Sequence, residues 1–464
     1  MRTKRVTIPS RDPPETEWKD TWAAILFTGN VLGVAALAGT SVTSFAFADA
    51  TNSLSQSLSL LVILSLACFA MGTLLLNLFL AYSSALIYFM LIASVVITAA
   101  VALYLMITGF LLGGILFAAS AVASYFYMQA VQSRILFASA VLNIACKSIQ
   151  RNYSAILLTS LLLFTLTLLW ITVWTTAFAG LFSSFHAKEN FLTEWTELLF
   201  SLLSLLWGCQ VLRSLLLVTV AGALASWWFE PSITNPVSGT FFRAISTSFG
   251  SICFGSLLVA VVQAVHSIVQ LMRQSLQQEG DERRSGDAAE SSHWIECLRL
   301  CLLVVLEQLL SVTESLMVYF NKYAFCYVAA YGSSFLDSGR RVISLFSSKG
   351  WLAVVNDSLV SNVLLLCVIL MAITSSLVGI VVAFTWHDVL LSAVKNPIIL
   401  GGSLGFIVGA IMGSMISTAL DSSVSMVFVC FAEGPLDLLV GSAAIHILLI
   451  FIYLLYSISS YIYF

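Results

Sequence analysis

From Ala85 to Met128 the chain runs without a single Lys, Arg, Asp or Glu. About 20 apolar residues are enough for a helix to cross a bilayer, so this run is long enough for two crossings. Glycines at 109, 113 and 114 mark where it divides, because glycine accepts backbone turns that other residues resist. In hydrocarbon every backbone N–H and C=O must find its partner inside the protein, and a helix achieves this within one segment.

Similar runs recur along the chain. Further crossings are expected at 22–40, 58–80, 153–179, 198–228, 244–270, 294–320, 359–385 and 398–418, the last continuing to 432. A final apolar run covers 438–458. The stretch 294–320 carries Glu296, Arg299, Glu307 and Glu314, a pattern that also suits an amphipathic helix lying on the membrane. Composition agrees with membrane residence. The chain is 59% hydrophobic and 9% charged, against about 25% charged residues in soluble domains. The expected fold is all-α, a polytopic transmembrane helical bundle of ten or eleven spans.

Residues 1–21 read as a cytoplasmic tail, 22–458 as the transmembrane domain and 459–464 as a short C-terminal end. No cleavable signal peptide is expected, since the first apolar run begins only at Trp22. Lys and Arg set the orientation of a bundle. With the N-terminus inside, segments 1–21, 129–152, 229–243 and 321–358 hold thirteen of them, against five in 41–57, 180–197, 271–293 and 386–397. Residues 271–293 then form a hydrophilic outer loop and 321–358 a basic cytoplasmic one. Asn152 and Asn356 head N-x-S/T triplets, but both fall on the cytoplasmic side and are expected to stay unglycosylated.

The segment 397–435 is the most informative. Gly401, Gly405, Gly409 and Gly413 recur every four residues, which lines them along one helical face. Lipid offers no hydrophobic drive between helices, so a face without side chains serves close packing against another span. Eight residues beyond Gly413 stands Asp421, beside Thr418, Ser422, Ser423 and Ser425. An untilted helix starting at Ile398 reaches Asp421 after about 34 Å, close to the inner boundary of a hydrocarbon layer about 30 Å thick. A carboxylate in such a polar island can line a water-filled vestibule and attract a cation, or simply end the crossing.

Arg213 lies inside another apolar run, with Gln210 one turn before it and Trp207 six residues before. An arginine at that depth costs at least about 2.5 kcal/mol, so it faces a cavity, a partner or an interface. Asp421 is one such partner. Trp170, Trp174 and Trp207 could build an aromatic cage for a quaternary ammonium ion or serve as packing. Trp227 and Trp228 belong at a span end.

Catalysis has no support. The histidines at 186, 266, 293, 387 and 446 are scattered, and no nucleophile-elbow, Walker or zinc motif is present. The nine cysteines lie mostly in apolar runs and form no C-x-x-C, which suits small core residues. No metal, cofactor or nucleic-acid partner is expected. The partners are the lipid bilayer and a small molecule.

Three ordered blocks carry a resemblance: SWWFEPSITNPVSGTFFRAISTSFGSICFGSLLVAVVQ at 226–263, NKYAFCYVAAYGSSFLDSGR at 321–340 and ALDSSVSMVFVCFAEGP at 419–435. They resemble the choline transporter-like family, in its fungal branch. The resemblance implies a multi-pass plasma-membrane protein of about ten spans that transports a solute. Two departures stand out. Glu433 is followed by Gly434 and Pro435 where the family places a run of acids, and 438–464 is apolar where it places a polar tail. The resulting expectation is a transporter for a small cationic or zwitterionic amine, choline- or ethanolamine-like, working by facilitated diffusion or exchange. A non-transporting scaffold or a lipid-handling protein is the alternative.

Overall fold

The structure, a computed structural model, describes residues 17–44, 48–185, 191–229, 235–284, 293–349, 352–386 and 396–433. Within these residues the only regular elements are helices. They are α1 (Thr21–Ser44), α2 (Ala48–Ile107), α3 (Leu111–Arg151), α4 (Tyr153–Phe185), α5 (Phe191–Phe229) and α6 (Pro236–Ile245). Then come α7 (Phe249–Arg284), α8 (His293–Tyr331), α9 (Phe335–Lys349), α10 (Leu352–Thr385) and α11 (Pro397–Glu433).

Ten stretches are long and apolar enough to cross a membrane, two of them within α2. Non-helical backbone at Tyr82 (φ −132°, ψ 37°) separates those two. Between α2 and α3 the chain turns at Gly109, whose φ of +86° is a conformation glycine adopts without strain. This is where the long apolar run was expected to divide. The stretch 294–320 is part of α8, whose residues 298–331 are long and apolar enough to cross a membrane. The run 438–458 lies outside the described residues.

Four stretches read from the sequence as loops or connectors are helical in whole or in part. Residues 129–151 complete α3, and Ile135, Ala138, Leu142, Ala145 and Ile149 are all buried on one side of it. Their spacing of three and four residues is that of a helix face, which the nearby Arg134, Lys147 and Arg151 obscure. The segment 229–243 contains α6, opened by Pro236 in its first turn, where a missing N–H costs nothing. The basic loop expected at 321–358 is a correction of larger consequence. Residues 321–331 are the last three turns of α8, and Tyr323 through Ala330 are almost wholly buried. Only after Gly332, at φ +69°, does the chain leave the bundle and form the short α9. The hydrophilic segment 271–293 is likewise helical as far as Arg284.

The core centres on α5 and α11. Leu215–Ala225 of α5, Met415–Cys430 of α11 and Tyr323–Ala330 of α8 supply its densest runs of buried side chains. Large apolar residues such as Leu66, Ile107, Leu158 and Phe384 point outward, the surface that lipid covers. At one end of the bundle the segment before α1 is strapped across α7 and α9. The Asp20 carboxylate accepts hydrogen bonds from Ser251 Oγ at 2.7 Å and from the Phe335 backbone N–H at 3.0 Å. The second of these satisfies an N–H that the first turn of α9 leaves without an intrahelical partner.

α11 lies against α10 along its glycine row. A side chain at Gly405 would meet the Ser375 carbonyl oxygen at 2.5 Å, and one at Gly409 would meet Ser375 Cβ at 2.5 Å and the Met371 carbonyl oxygen at 2.8 Å. Gly401 packs on Gly379, and Gly413 approaches Val368 and Met371. Gly409→Leu should therefore lower the yield of monodisperse protein severalfold, as overpacking of about 1–3 kcal/mol demands. Ile411→Leu, which conserves volume, should leave the yield near wild type in the same size-exclusion assay.

Candidate functional site

Asp421 sits three turns before the end of α11, and the group facing it comes from α8. Lys322 Nζ lies 3.2 Å from Asp421 Oδ1 in an ion pair whose side chains are 9% and 19% exposed. Ser361 of α10 donates to the same oxygen at 3.0 Å, and Lys322 Nζ is 3.5 Å from Ser361 Oγ. The Lys322 ammonium also lies 5.5 Å from the Tyr319 ring centre and 5.7 Å from that of Tyr323, within the range of a cation–π contact. Three helices thus surround one ammonium with a carboxylate, a hydroxyl and two aromatic faces.

Arg213 approaches from α5. Its Nε donates to Thr418 Oγ1 at 3.0 Å, one turn from Asp421, and it lies within the electrostatic reach of that carboxylate. The Arg213 side chain is exposed although Val211 and residues 214–225 on the same helix are buried. An arginine inside an apolar run is tolerated where its guanidinium finds water or polar partners.

One turn along α5, Gln210 begins a second polar series. Gln210 Nε2 donates to Gln263 Oε1 at 2.8 Å, and Gln263 Nε2 donates to Glu314 Oε1 at 3.0 Å. His266 Nδ1 lies 2.7 Å from Glu314 Oε2, and Gln270 Nε2 is 3.2 Å from His266 Nε2. Further along, Arg273 Nε is 3.0 Å from Glu307 Oε2. The register is that of two antiparallel helices. On α7 and α8, Gly255 faces Asn321, Gln263 and His266 face Glu314, and Arg273 faces Glu307.

The tryptophans are placed differently from one another. Trp170 and Trp174 share a small cluster between α1, α4 and α5, while Trp207 belongs to the main core. Each indole N–H donates to a backbone carbonyl of a neighbouring helix: Trp170 to Leu205 at 3.2 Å, Trp174 to Ser201 at 3.0 Å and Trp207 to Cys253 at 3.0 Å. The aromatic rings beside an ammonium are those of Tyr319 and Tyr323. Of the residues singled out in the sequence, the structure gathers Asp421, Arg213 and Gln210 along one polar track. Lys322, Ser361, Gln263, His266 and Glu314 join them there. Among the described residues no group of three or more His, Cys, Asp or Glu is placed to hold a metal ion.

Comparison with known proteins gives this track a context. A CTL-like protein of Dictyostelium discoideum is 25% identical over 328 residues, covering 69% of this chain and 53% of that protein. Fungal proteins named PNS1 match as well. That of Debaryomyces hansenii is 29% identical over 242 residues, 49% of this chain and 42% of its own length. That of Cryptococcus neoformans is 30% identical over 245 residues, 51% of this chain and 41% of its own. The chain spans about half the length of the curated relatives it matches. A family model described as plasma-membrane choline transporter matches residues 115–435, from the first turns of α3 past the end of α11, and the chain belongs to that choline transporter-like family.

Proposed function

We propose that this chain moves a small cationic or zwitterionic amine of the choline or ethanolamine type across the plasma membrane, by facilitated diffusion or exchange, with its N-terminus in the cytoplasm. Family membership supports transport, and the excess of Lys and Arg in the segments on the N-terminal side supports the orientation. The observation that carries the reading is the ammonium of Lys322, held by Asp421, Ser361, Tyr319 and Tyr323, one turn from the Thr418 hydroxyl that Arg213 bonds. A carboxylate flanked by aromatic faces is the surrounding that a substituted ammonium also requires. On this reading Lys322 is a tethered occupant. The amine takes its place at Asp421 in one state of the cycle, and Lys322 returns when the amine leaves. Neutralisation of Asp421 is thereby maintained throughout, which matters because an uncompensated carboxylate inside the membrane is costly.

Purified protein in liposomes should show saturable uptake of labelled choline or ethanolamine, and a scaffold should show none. Asp421→Asn keeps the shape and hydrogen-bonding capacity of the side chain but removes its charge. It should leave expression intact and abolish saturable flux. Full transport at an unchanged half-saturation concentration would return Asp421 to a structural task.

The tethered-occupant reading has its own test. Lys322→Met leaves a buried carboxylate alone, a loss of about 3–5 kcal/mol for pairs of this kind, so its Tm in detergent should fall well below wild type. Combining it with Asp421→Asn should restore much of the loss. Millimolar choline should raise the Tm of Lys322→Met more than that of wild type, because the vacated place is then open. Equal shifts in the two proteins would count against the amine taking the position of Lys322.

A further inference from the structure

Charge accounting along the spans singles out a different carboxylate. Near Asp421 there are two cations for one anion, Lys322 in the ion pair and Arg213 within electrostatic reach. Glu307 has Arg273. Among the described residues no Lys or Arg is paired with Glu314: its two oxygens take Gln263 Nε2 at 3.0 Å and His266 Nδ1 at 2.7 Å.

The hydrogen-bond directions say how this carboxylate is held. Gln263 can donate from Nε2 to Glu314 because its Oε1 is engaged by Gln210 Nε2. His266 Nδ1 faces the other Glu314 oxygen, and its Nε2 faces the Gln270 amide nitrogen, which also donates to Glu307 Oε1 at 3.4 Å. Two nitrogens thus occupy two of the roughly four acceptor positions of the Glu314 carboxylate. Side chains of α5 and α7 hold it there with no Lys or Arg paired to it among the described residues. Two glutamine donors would be satisfied equally well by each other. Their alignment on a single anion is what a purely structural polar clamp does not require. Glu314 and His266 side chains are 26% and 14% exposed, so the site is neither sealed nor bathed in bulk water.

We infer that Glu314 is the group that first captures the positively charged head of the substrate, an organic ammonium ion, with Gln263, His266 and Gln210 holding the carboxylate in place. The inference rests on the amine-transport reading and extends it. Glu314 and Lys322 are eight residues apart on α8, about 12 Å along the helix. The path then has two stations. The one at Glu314 presents a carboxylate held by Gln263 and His266, and the one at Asp421 is held by Lys322 until an amine displaces it. Equilibrium affinity is accordingly set at Glu314, and flux needs both.

The test is equilibrium binding of labelled choline to detergent-purified protein, run beside liposome uptake. Glu314→Gln should weaken choline binding at least tenfold and depress uptake with it, whereas Asp421→Asn should still bind choline while transporting none. The double variant Gln263→Glu/Glu314→Gln returns a carboxylate to the same cluster with its hydrogen bond to residue 314 preserved, and it should recover much of the binding. Binding by Glu314→Gln within threefold of wild type would overturn the assignment while leaving transport itself intact. So would loss of folded protein in both Glu314 variants, which would make the residue a structural clamp. Equal displacement of choline by sodium at the same concentration would reassign the site to an inorganic cation and equally defeat it. A wild-type protein that neither binds nor transports any amine would remove the transport reading, and this inference with it.

Discussion

A charge can remain inside the hydrocarbon layer only if the protein brings its compensation along, and here that compensation comes from separate helices. Asp421 on α11 is neutralised by Lys322 on α8 and fixed by Ser361 on α10. Breaking such a buried pair costs far more than its formation gains, because the partner left behind has no water to turn to. The pair therefore contributes little net stability but strongly penalises any arrangement in which α8 and α11 are out of register. Glu307 with Arg273 does the same for α7 and α8 nearer their other ends. Between these two pairs the Gln263–Glu314–His266 contacts continue the match.

Close packing fixes what the charges cannot. The four glycines of α11 let its backbone rest on the carbonyls of Gly379, Ser375 and Met371 in α10. That approach puts Ser361 and Asp421 of the two helices within 3.0 Å of each other further along. At the end of the bundle near Lys322 the ties are aromatic. Trp22 meets Phe254, Phe254 meets Phe335, and Phe335 meets Phe325, with ring centres 5.0, 5.4 and 5.8 Å apart. Asn321, next to Lys322, donates to the Gly255 carbonyl at 3.2 Å. The strap around Asp20 is thereby coupled through packed rings to the turn of α8 that carries the ion pair.

Much of this was legible in the sequence, because lipid makes a simple demand. Long uncharged runs must be helices, and the break at Gly109 follows from local backbone chemistry. The glycine row and Asp421 also stood out, as rule violations inside apolar runs do. Lys322 did not. Counted with Arg340, Arg341 and Lys349 it looked like part of a basic loop, and its charge entered the tally that oriented the chain. The correcting signal was the apolar run from Tyr323 to Tyr331 that follows it, too long to be a loop and too short to cross by itself. Such a run is best read as the continuation of the preceding helix past a single buried cation.

The α7–α8 series was missed for a related reason. In the sequence His266 stands as one of five scattered histidines, and Glu307 and Glu314 suit a helix lying on the membrane as well as a crossing. Read on a helix, Glu307, Glu314 and Asn321 stand seven residues apart, as do Gln263 and Gln270, and His266 and Arg273. A seven-residue spacing returns nearly to the same face, drifting by about 20° per step. Two helices that each keep a polar stripe at that interval can bury both stripes against each other while the remaining surface stays apolar for lipid. The polar residues that seemed to disqualify 294–320 as a span are therefore what holds it to α7. The same stripe leads from the Arg273 end of the bundle to Gln210, one turn from Arg213 on α5. On the transport proposal a path for a charged solute needs no broken helix, because it follows the seam between two intact ones.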